Sequence, residues 1–335
     1  MKRQSGIDLL RITGMFFVIG VHQFLYNRFY YEPQVGFWMW SADVWRWLFF
    51  CCNGIFMMLS GYLRCNKTDF RDCYRGLVPV LLGYTLCCAI IFPVQYLLGE
   101  HLTPIGWFER FITFGNYAWY IEMYIGLVLI SPLINLGLKQ MDNKTLGRFA
   151  NIMVFVTSAH YLTALDLIPN YWSSLYPVTY YVLGAAIRRI QPKVKPWQGL
   201  GLALLVCMGL ATSSILTTDE GFSKGFTQGY GGIWTMFTAA GVFLALYRVK
   251  VGKGSGKALA WLSGGAFEGY LLSKIFDLWT YPLVRQWHTP DKFWLVFLVI
   301  TVPTFLCSLL LGKLVSMLAD AISNQIPWYK KKTRV

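Results

Sequence analysis

The chain has 335 residues, of which 56 % are hydrophobic and 17 % aromatic, but only 14 % carry charge. A water-soluble globular domain is about 25 % charged, so these proportions exclude one, along with disordered, collagen-like, coiled-coil and disulfide-scaffold chains, and leave a multi-span membrane protein. The formal net charge of +14 would point to nucleic acid in a soluble protein; in a membrane protein the same excess fixes orientation, and no nucleic-acid partner is expected.

Apolar stretches of about 20 residues, each able to cross a hydrocarbon core of about 30 Å, recur at approximately 7–27, 40–63, 76–98, 117–138, 148–168, 173–190, 196–217, 230–248, 258–282 and 293–319. The expected fold class is all-α: one domain over 1–335, a polytopic membrane helix bundle of about ten transmembrane helices. Lys and Arg test the direction of each crossing. With the N-terminus cytoplasmic, inner segments hold 21 of the 30, including Lys2, Arg64, Arg75, Arg188, Arg248 and the tail Lys330, Lys331, Lys332 and Arg334. Outer segments hold only Arg28, Arg110, Lys224, Arg285 and Lys292. Both termini are therefore expected in the cytoplasm.

The first stretch is interrupted by Asp8, Arg11 and His22 and lacks a small-residue cleavage site, so it reads as a retained span and not a signal peptide. An ionisable side chain inside a span costs about 2.5–3.5 kcal/mol on insertion scales, which makes each one a functional candidate. Arg11 and His22 are eleven residues apart; eleven steps of 100° return them to within about 20° of one face, about 16 Å apart along the axis. One wall of one helix thus presents a cation below and an imidazole above.

The second stretch runs back inward, with Arg46 in its outer third and Ser60 and Gly61 at its inner end. Glu122 opens the fourth at nearly the depth of His22. His160, midway in the fifth, has few charged neighbours and reads as structural, and His101 and His288 fall in outer loops. The ninth contributes Lys274 and Asp277, an i,i+3 pair able to face each other. Two polar layers result: Asp8, Arg11 and Ser60 inside, and His22, Arg46, Glu122, Lys274 and Asp277 outside. Interhelical ion pairing explains Lys274 with Asp277 as well as chemistry does, and mutual pairing accounts for part of Asp8 with Arg11.

Several other signals are bland. Gly252-Lys253-Gly254-Ser255-Gly256-Lys257 imitates a phosphate loop but is one residue short, lacks the Ser or Thr after the Lys and follows no strand, so it reads as a flexible basic inner loop. The eight cysteines lie in spans or a reducing inner loop, with no Cys-x-x-Cys pair, so neither a disulfide framework nor a metal is expected. The sequons at Asn66 and Asn143 face the cytoplasm, and the basic tail is expected against anionic headgroups.

Arg11 followed by ten residues and His22 resembles the Arg-x10-His signature of the acyltransferase-3 family of membrane O-acyltransferases. Three further stretches are similar to that family: Asn53-Gly54-Ile55-Phe56-Met57-Met58-Leu59-Ser60-Gly61-Tyr62-Leu63, Trp119-Tyr120-Ile121-Glu122, and Tyr181-Val182-Leu183-Gly184 with Arg188. The resemblance implies transfer of an acyl group, most often acetyl from cytoplasmic acetyl-CoA, to a hydroxyl of a cell-surface or lipid-linked glycan, by a multi-pass protein of the cell membrane. It carries the family's His onto His22 and its Arg onto Arg11. Two departures stand out. Many members read Tyr-Leu-x-His in the ninth span, where this chain has Tyr270-Leu271-Leu272-Ser273-Lys274; and no fused extracytoplasmic hydrolase-like domain is present, so a stand-alone enzyme is expected.

Together these readings give a provisional site. His22 is the general base, Glu122 orients it, and Arg11 completes the catalytic set. Asp8, Ser60, Tyr62, Arg75 and Arg188 join Arg11 in holding the acyl-CoA donor, and Arg46, Trp119, Ser273 and Lys274 serve the acceptor or the oxyanion. The outer aromatic residues Tyr26, Tyr30, Tyr31, Phe37, Trp38, Trp40, Trp107, Tyr171, Trp172 and Trp287 suit sugar stacking or, more simply, an interfacial belt. The competing reading is a transporter or flippase of a glycan or lipid-linked precursor, for which the same buried charges and the Gly-rich approach Gly225–Gly232 would form the substrate path.

Overall fold

A computed structural model describes residues 3–115, 118–162, 168–217, 220–222, 229–287, 289–326 and 329. Lys2, Lys224, residues 225–228, His288 and the tail cations lie outside the described residues. Among the described residues there is no strand; long apolar segments satisfy their own backbone as helices because lipid offers no partner.

In chain order the helices are α1 (Ser5–Tyr26), α2 (Gly36–Phe50), α3 (Cys52–Arg64), α4 (Phe70–Tyr74), α5 (Val78–Leu97), α6 (Pro104–Ile112), α7 (Trp119–Gln140) and α8 (Asn143–Leu162). They are followed by α9 (Tyr176–Ile190), α10 (Pro196–Thr217), α11 (Ile233–Leu246), α12 (Lys253–Leu262), α13 (Ala266–Gln286), α14 (Phe293–Val296) and α15 (Val302–Gln325). Each of the ten expected crossings contains a helix, but among the described residues six helical segments are long and apolar enough to span a membrane: Ser5–Tyr26, Gly36–Arg64, Phe70–Leu97, Trp119–Gln140, Pro196–Thr217 and Phe293–Gln325. The others fall short for local reasons. α9 has 15 residues and α11 has 14, α8 is diluted by Lys144, Arg148, Asn151 and His160, and α13 carries Glu268, Lys274, Asp277 and Arg285.

The expected ninth crossing also begins later than its hydropathy suggests. The segment 253–262 is the separate helix α12, a short 3₁₀ turn at Ser263–Gly265 follows, and α13 starts at Ala266. The supposed flexible basic loop at Gly252–Lys257 is therefore the first turns of a helix. Gly252 is its N-cap, and Gly254 and Gly256 are unfavourable inside it, but the helix packs against α1 and α15.

The interior is organised by α1, which packs on α2, α3, α11 and α13, while α3 lies along α9, α10 along α2 and α11, and α13 along α15. Two of the family-like stretches meet in the α3–α9 contact. A methyl group on Gly61 would collide with the Tyr181 carbonyl, and one on Gly184 with the Met58 carbonyl. Small residues permit backbones to approach this closely, and in a membrane such packing replaces a hydrophobic driving force.

Candidate active site

The face of α1 that holds Arg11 also carries Gly14, Val18 and His22, at the i, i+3, i+7 and i+11 positions. Val18 and His22 open into an interior chamber of about 220 Å³. Arg11 opens into a second cavity of about 500 Å³. The two share a partition made by Phe56, Tyr120, Ala266 and Phe267.

Four helices build this arrangement in register. On α3, Asn53 faces the His22 chamber, Phe56 the partition and Ser60 the Arg11 cavity. α7 places Trp119 in the chamber, Tyr120 at the partition and Tyr124 in the Arg11 cavity, and α13 brings Tyr270 to the chamber with Ala266 and Phe267 at the partition. Residues three or four apart share one helix face, so α3 and α7 each deliver an upper, a middle and a lower residue to one axis.

The chamber is mostly apolar and aromatic. Its polar groups are few: the imidazole of His22, the amide of Asn53, the Cys52 thiol and the hydroxyls of Tyr30, Tyr120, Tyr230 and Tyr270. Asn53 is buried, lines the chamber together with His22 and, among the described residues, makes no side-chain hydrogen bond; its amide offers two N–H donors and an acceptor. The ring of His22 is packed edge-on against Tyr26, with centroids 6.4 Å apart, and Trp119 stacks on Tyr230 at 5.6 Å.

The Arg11 cavity is charged. Arg11, Arg64 and Lys67 face it together with Glu268 and Asp320. Arg64 is held by donating to the Tyr124 hydroxyl at 3.1 Å and the Cys73 carbonyl at 3.0 Å. Asn135 fixes the chain beyond α3 by donating to the carbonyls of Arg64 (2.9 Å) and Lys67 (2.6 Å) while accepting from Tyr181 (2.9 Å). Three cations and two carboxylates thus line one recess, and the guanidinium of Arg11 is paired with Asp8.

Several expected residues sit elsewhere. Glu122 is exposed on α7 and does not line the His22 chamber. It matches His22 in depth, but it lies two residues from Tyr120, about 200° around the helix. Arg46 is buried behind the chamber wall, its guanidinium over the rings of Trp47 (4.3 Å), Phe50 and Phe222 (4.4 Å each) and Tyr30 (5.5 Å). Phe50 and Tyr30 stand between it and the chamber, because aromatic faces shelter a desolvated guanidinium better than an apolar cavity does. Ser273 is fully buried and donates to the Tyr270 carbonyl at 2.8 Å. Lys274 lines a different cavity of about 970 Å³, with Tyr26, Gln95, Glu100, Glu109 and Arg110.

Of the residues expected to hold a donor, Arg11 and Ser60 line one cavity, Ser60 donating to the Phe56 carbonyl at 3.0 Å. Asp8 stands behind Arg11, accepting from Arg3 at 2.8 Å, Arg11 at 3.2 Å and Ser263 at 2.8 Å. Tyr62 and Arg188 pair with each other at 3.2 Å, away from that cavity, and Tyr62 donates to Gln4. Arg75 lies 3.8 Å from Asp72 and does not face it either. In their place stand Arg64 and Lys67, whose signal in the sequence was their position at the inner end of the Ser-Gly-Tyr-Leu stretch. His160 is half-buried beside Tyr161 and lines none of these three cavities. Of the outer aromatic residues, Tyr26 and Tyr30 face cavities, while Phe37, Trp38, Tyr171, Trp172 and Trp287 are exposed as a belt requires.

A bundle of membrane-length apolar helices around a histidine-lined cavity defines a multi-pass membrane protein. The acyltransferase-3 family, described as an acyltransferase domain, matches residues 4–313, and the chain belongs to that family of membrane acyltransferases. No curated protein and no solved structure matches it.

Proposed function

We propose that the protein is an O-acyltransferase that moves a short acyl group, acetyl in the simplest case, from cytoplasmic acyl-CoA to a hydroxyl of a surface or lipid-linked glycan. The observation that carries this reading is the pair of cavities sharing one partition, with Arg11 in one and His22, on the same face of α1, in the other. The donor's phosphates bind Arg11, Arg64 and Lys67, and its pantetheine arm passes the partition to place the thioester beside His22. The chain crosses the membrane ten times with both ends in the cytoplasm, which puts the Arg11 cavity inside and the His22 chamber toward the outer face. The bilayer is that of the cell membrane.

The acceptor hydroxyl gives its proton to the His22 imidazole as its oxygen attacks the thioester carbonyl. The oxyanion that forms accepts hydrogen bonds from the Asn53 amide. Collapse breaks the C–S bond, the imidazolium returns its proton to the departing thiolate, and the ester and coenzyme A leave on opposite sides. Removing one oxyanion donor of this kind costs about 10²–10³ in rate.

The test is His22→Ala in purified protein. Acetyl-CoA binding should persist within about threefold while acetyl transfer to surface glycan, followed by mass spectrometry, falls to background. Near-normal transfer in that variant would falsify the assignment of the base. Failure of the wild-type protein to bind acetyl-CoA saturably would remove the transferase reading and favour the transporter.

A further inference from the structure

The partition between the two cavities has an unusual construction. Phe56 reaches across from α3 with the end of its ring pointing at Gly14 of α1, so that a Cβ at position 14 would stand 3.0 Å from Cζ and 3.1 Å from Cε2. Its other side faces Tyr120 on α7, ring centroids 6.0 Å apart. Both Phe56 and Tyr120 line both cavities, and Phe56 is only half-buried because each of its faces meets open space. Gly14 sits between Arg11 and His22 on the face of α1 that lines the path.

A glycine in mid-helix is unfavourable unless its missing side chain is used. Here the missing methyl is the seat of an aromatic ring. From this packing we infer that Phe56, seated on Gly14, is the port residue between the donor cavity and the reaction chamber: it sets the bore through which the acyl-pantetheine arm reaches His22, and with it the bulk of acyl group that is delivered. The inference rests on the transferase reading above but assigns a role to two residues which that reading does not use.

A methyl at position 14 drives the ring toward Tyr120 and narrows the port, without touching Arg11, Arg64 or Lys67, where the phosphates bind. A shorter side chain at 56 relieves the clash. Binding of the donor and its delivery are thereby separated.

Three variants test this: Gly14→Ala, Phe56→Leu and the double variant, each in inside-out vesicles of the native membrane with radiolabelled acetyl-CoA. Gly14→Ala should bind acetyl-CoA within about twofold of wild type yet transfer acetyl at least about tenfold more slowly. The double variant should regain most of that rate, and Phe56→Leu alone should raise the rate with isobutyryl-CoA relative to acetyl-CoA. Ala is the better helix former, so a slow but binding-competent Gly14→Ala protein is not a misfolded one. Wild-type transfer by Gly14→Ala, or a double variant as slow as Gly14→Ala alone, overturns the port. If instead the wild-type protein binds no acetyl-CoA, the transferase reading itself has failed and the port falls with it.

Discussion

Asn53 and Glu122 illustrate how the chemistry of this site is set residue by residue. Asn53 is buried, lines the His22 chamber and makes no side-chain hydrogen bond among the described residues. Its amide can donate two N–H groups, and a substrate carbonyl in the cavity would accept from them. Asn53→Ala should therefore lower kcat about 10²–10³-fold with acetyl-CoA binding unchanged, as measured by single-turnover transfer. Glu122 matches His22 in depth by residue count but is exposed on the far side of α7. Glu122→Gln should leave kcat within about twofold of wild type, and a large loss would restore it to the site. Arg46 falls between these cases: wrapped by four rings, it supports the wall that Tyr30 and Phe50 present to the chamber.

Among the elements, the α3–α9 contact matters most, because α3 supplies Asn53, Phe56 and Ser60 to the path. Gly61 and Gly184 lie against the partner backbone, so any side chain there must push the helices apart. Gly184→Val should abolish stable expression or lower the melting temperature in detergent by more than any substitution inside the chamber. Gly126 of α7, which has open space beside it, is the control: Gly126→Ala should be neutral or slightly stabilising. The same contact explains why two separated family-like stretches occur in one protein. Ser60-Gly61-Tyr62 and Leu183-Gly184 form one packed unit, and the pairing of Tyr62 with Arg188 extends it.

Over the whole molecule, the distribution of cations predicts a topology that labelling can check. Single cysteines introduced at 253 and at 100, in a background without native cysteines, should react with an impermeant thiol reagent from opposite faces of sealed vesicles; labelling from one face would break the proposed ten crossings. Outside the spans, Arg110 donates to Glu100 at 2.6 Å and holds its carboxyl below the usual carboxylate range. A carboxyl whose pKa is depressed by folding stabilises the fold above its ordinary pKa, and that contribution disappears as pH falls through the depressed value. Both side chains are partly exposed, so the pair is worth less than about 1 kcal/mol. Melting in detergent should lose a small increment on acidification below about pH 4, and Glu100→Gln should flatten that slope.

Composition and hydropathy alone determined that this chain is a helical membrane protein, because the bilayer imposes length and apolarity on any segment that crosses it. Spacing alone placed Arg11 and His22 on one face of α1, because helical periodicity is local and needs no partner. Which residues join them was decided by tertiary structure. A depth along the membrane normal follows from counting residues, whereas the direction in which a side chain points depends on which helices are neighbours, and this separates Asn53 and Tyr120 from Glu122, and Arg64 and Lys67 from Arg75 and Arg188. The ring of Phe56 on Gly14 is of the same kind: two residues 42 positions apart in the chain become one contact only when α1 and α3 pack.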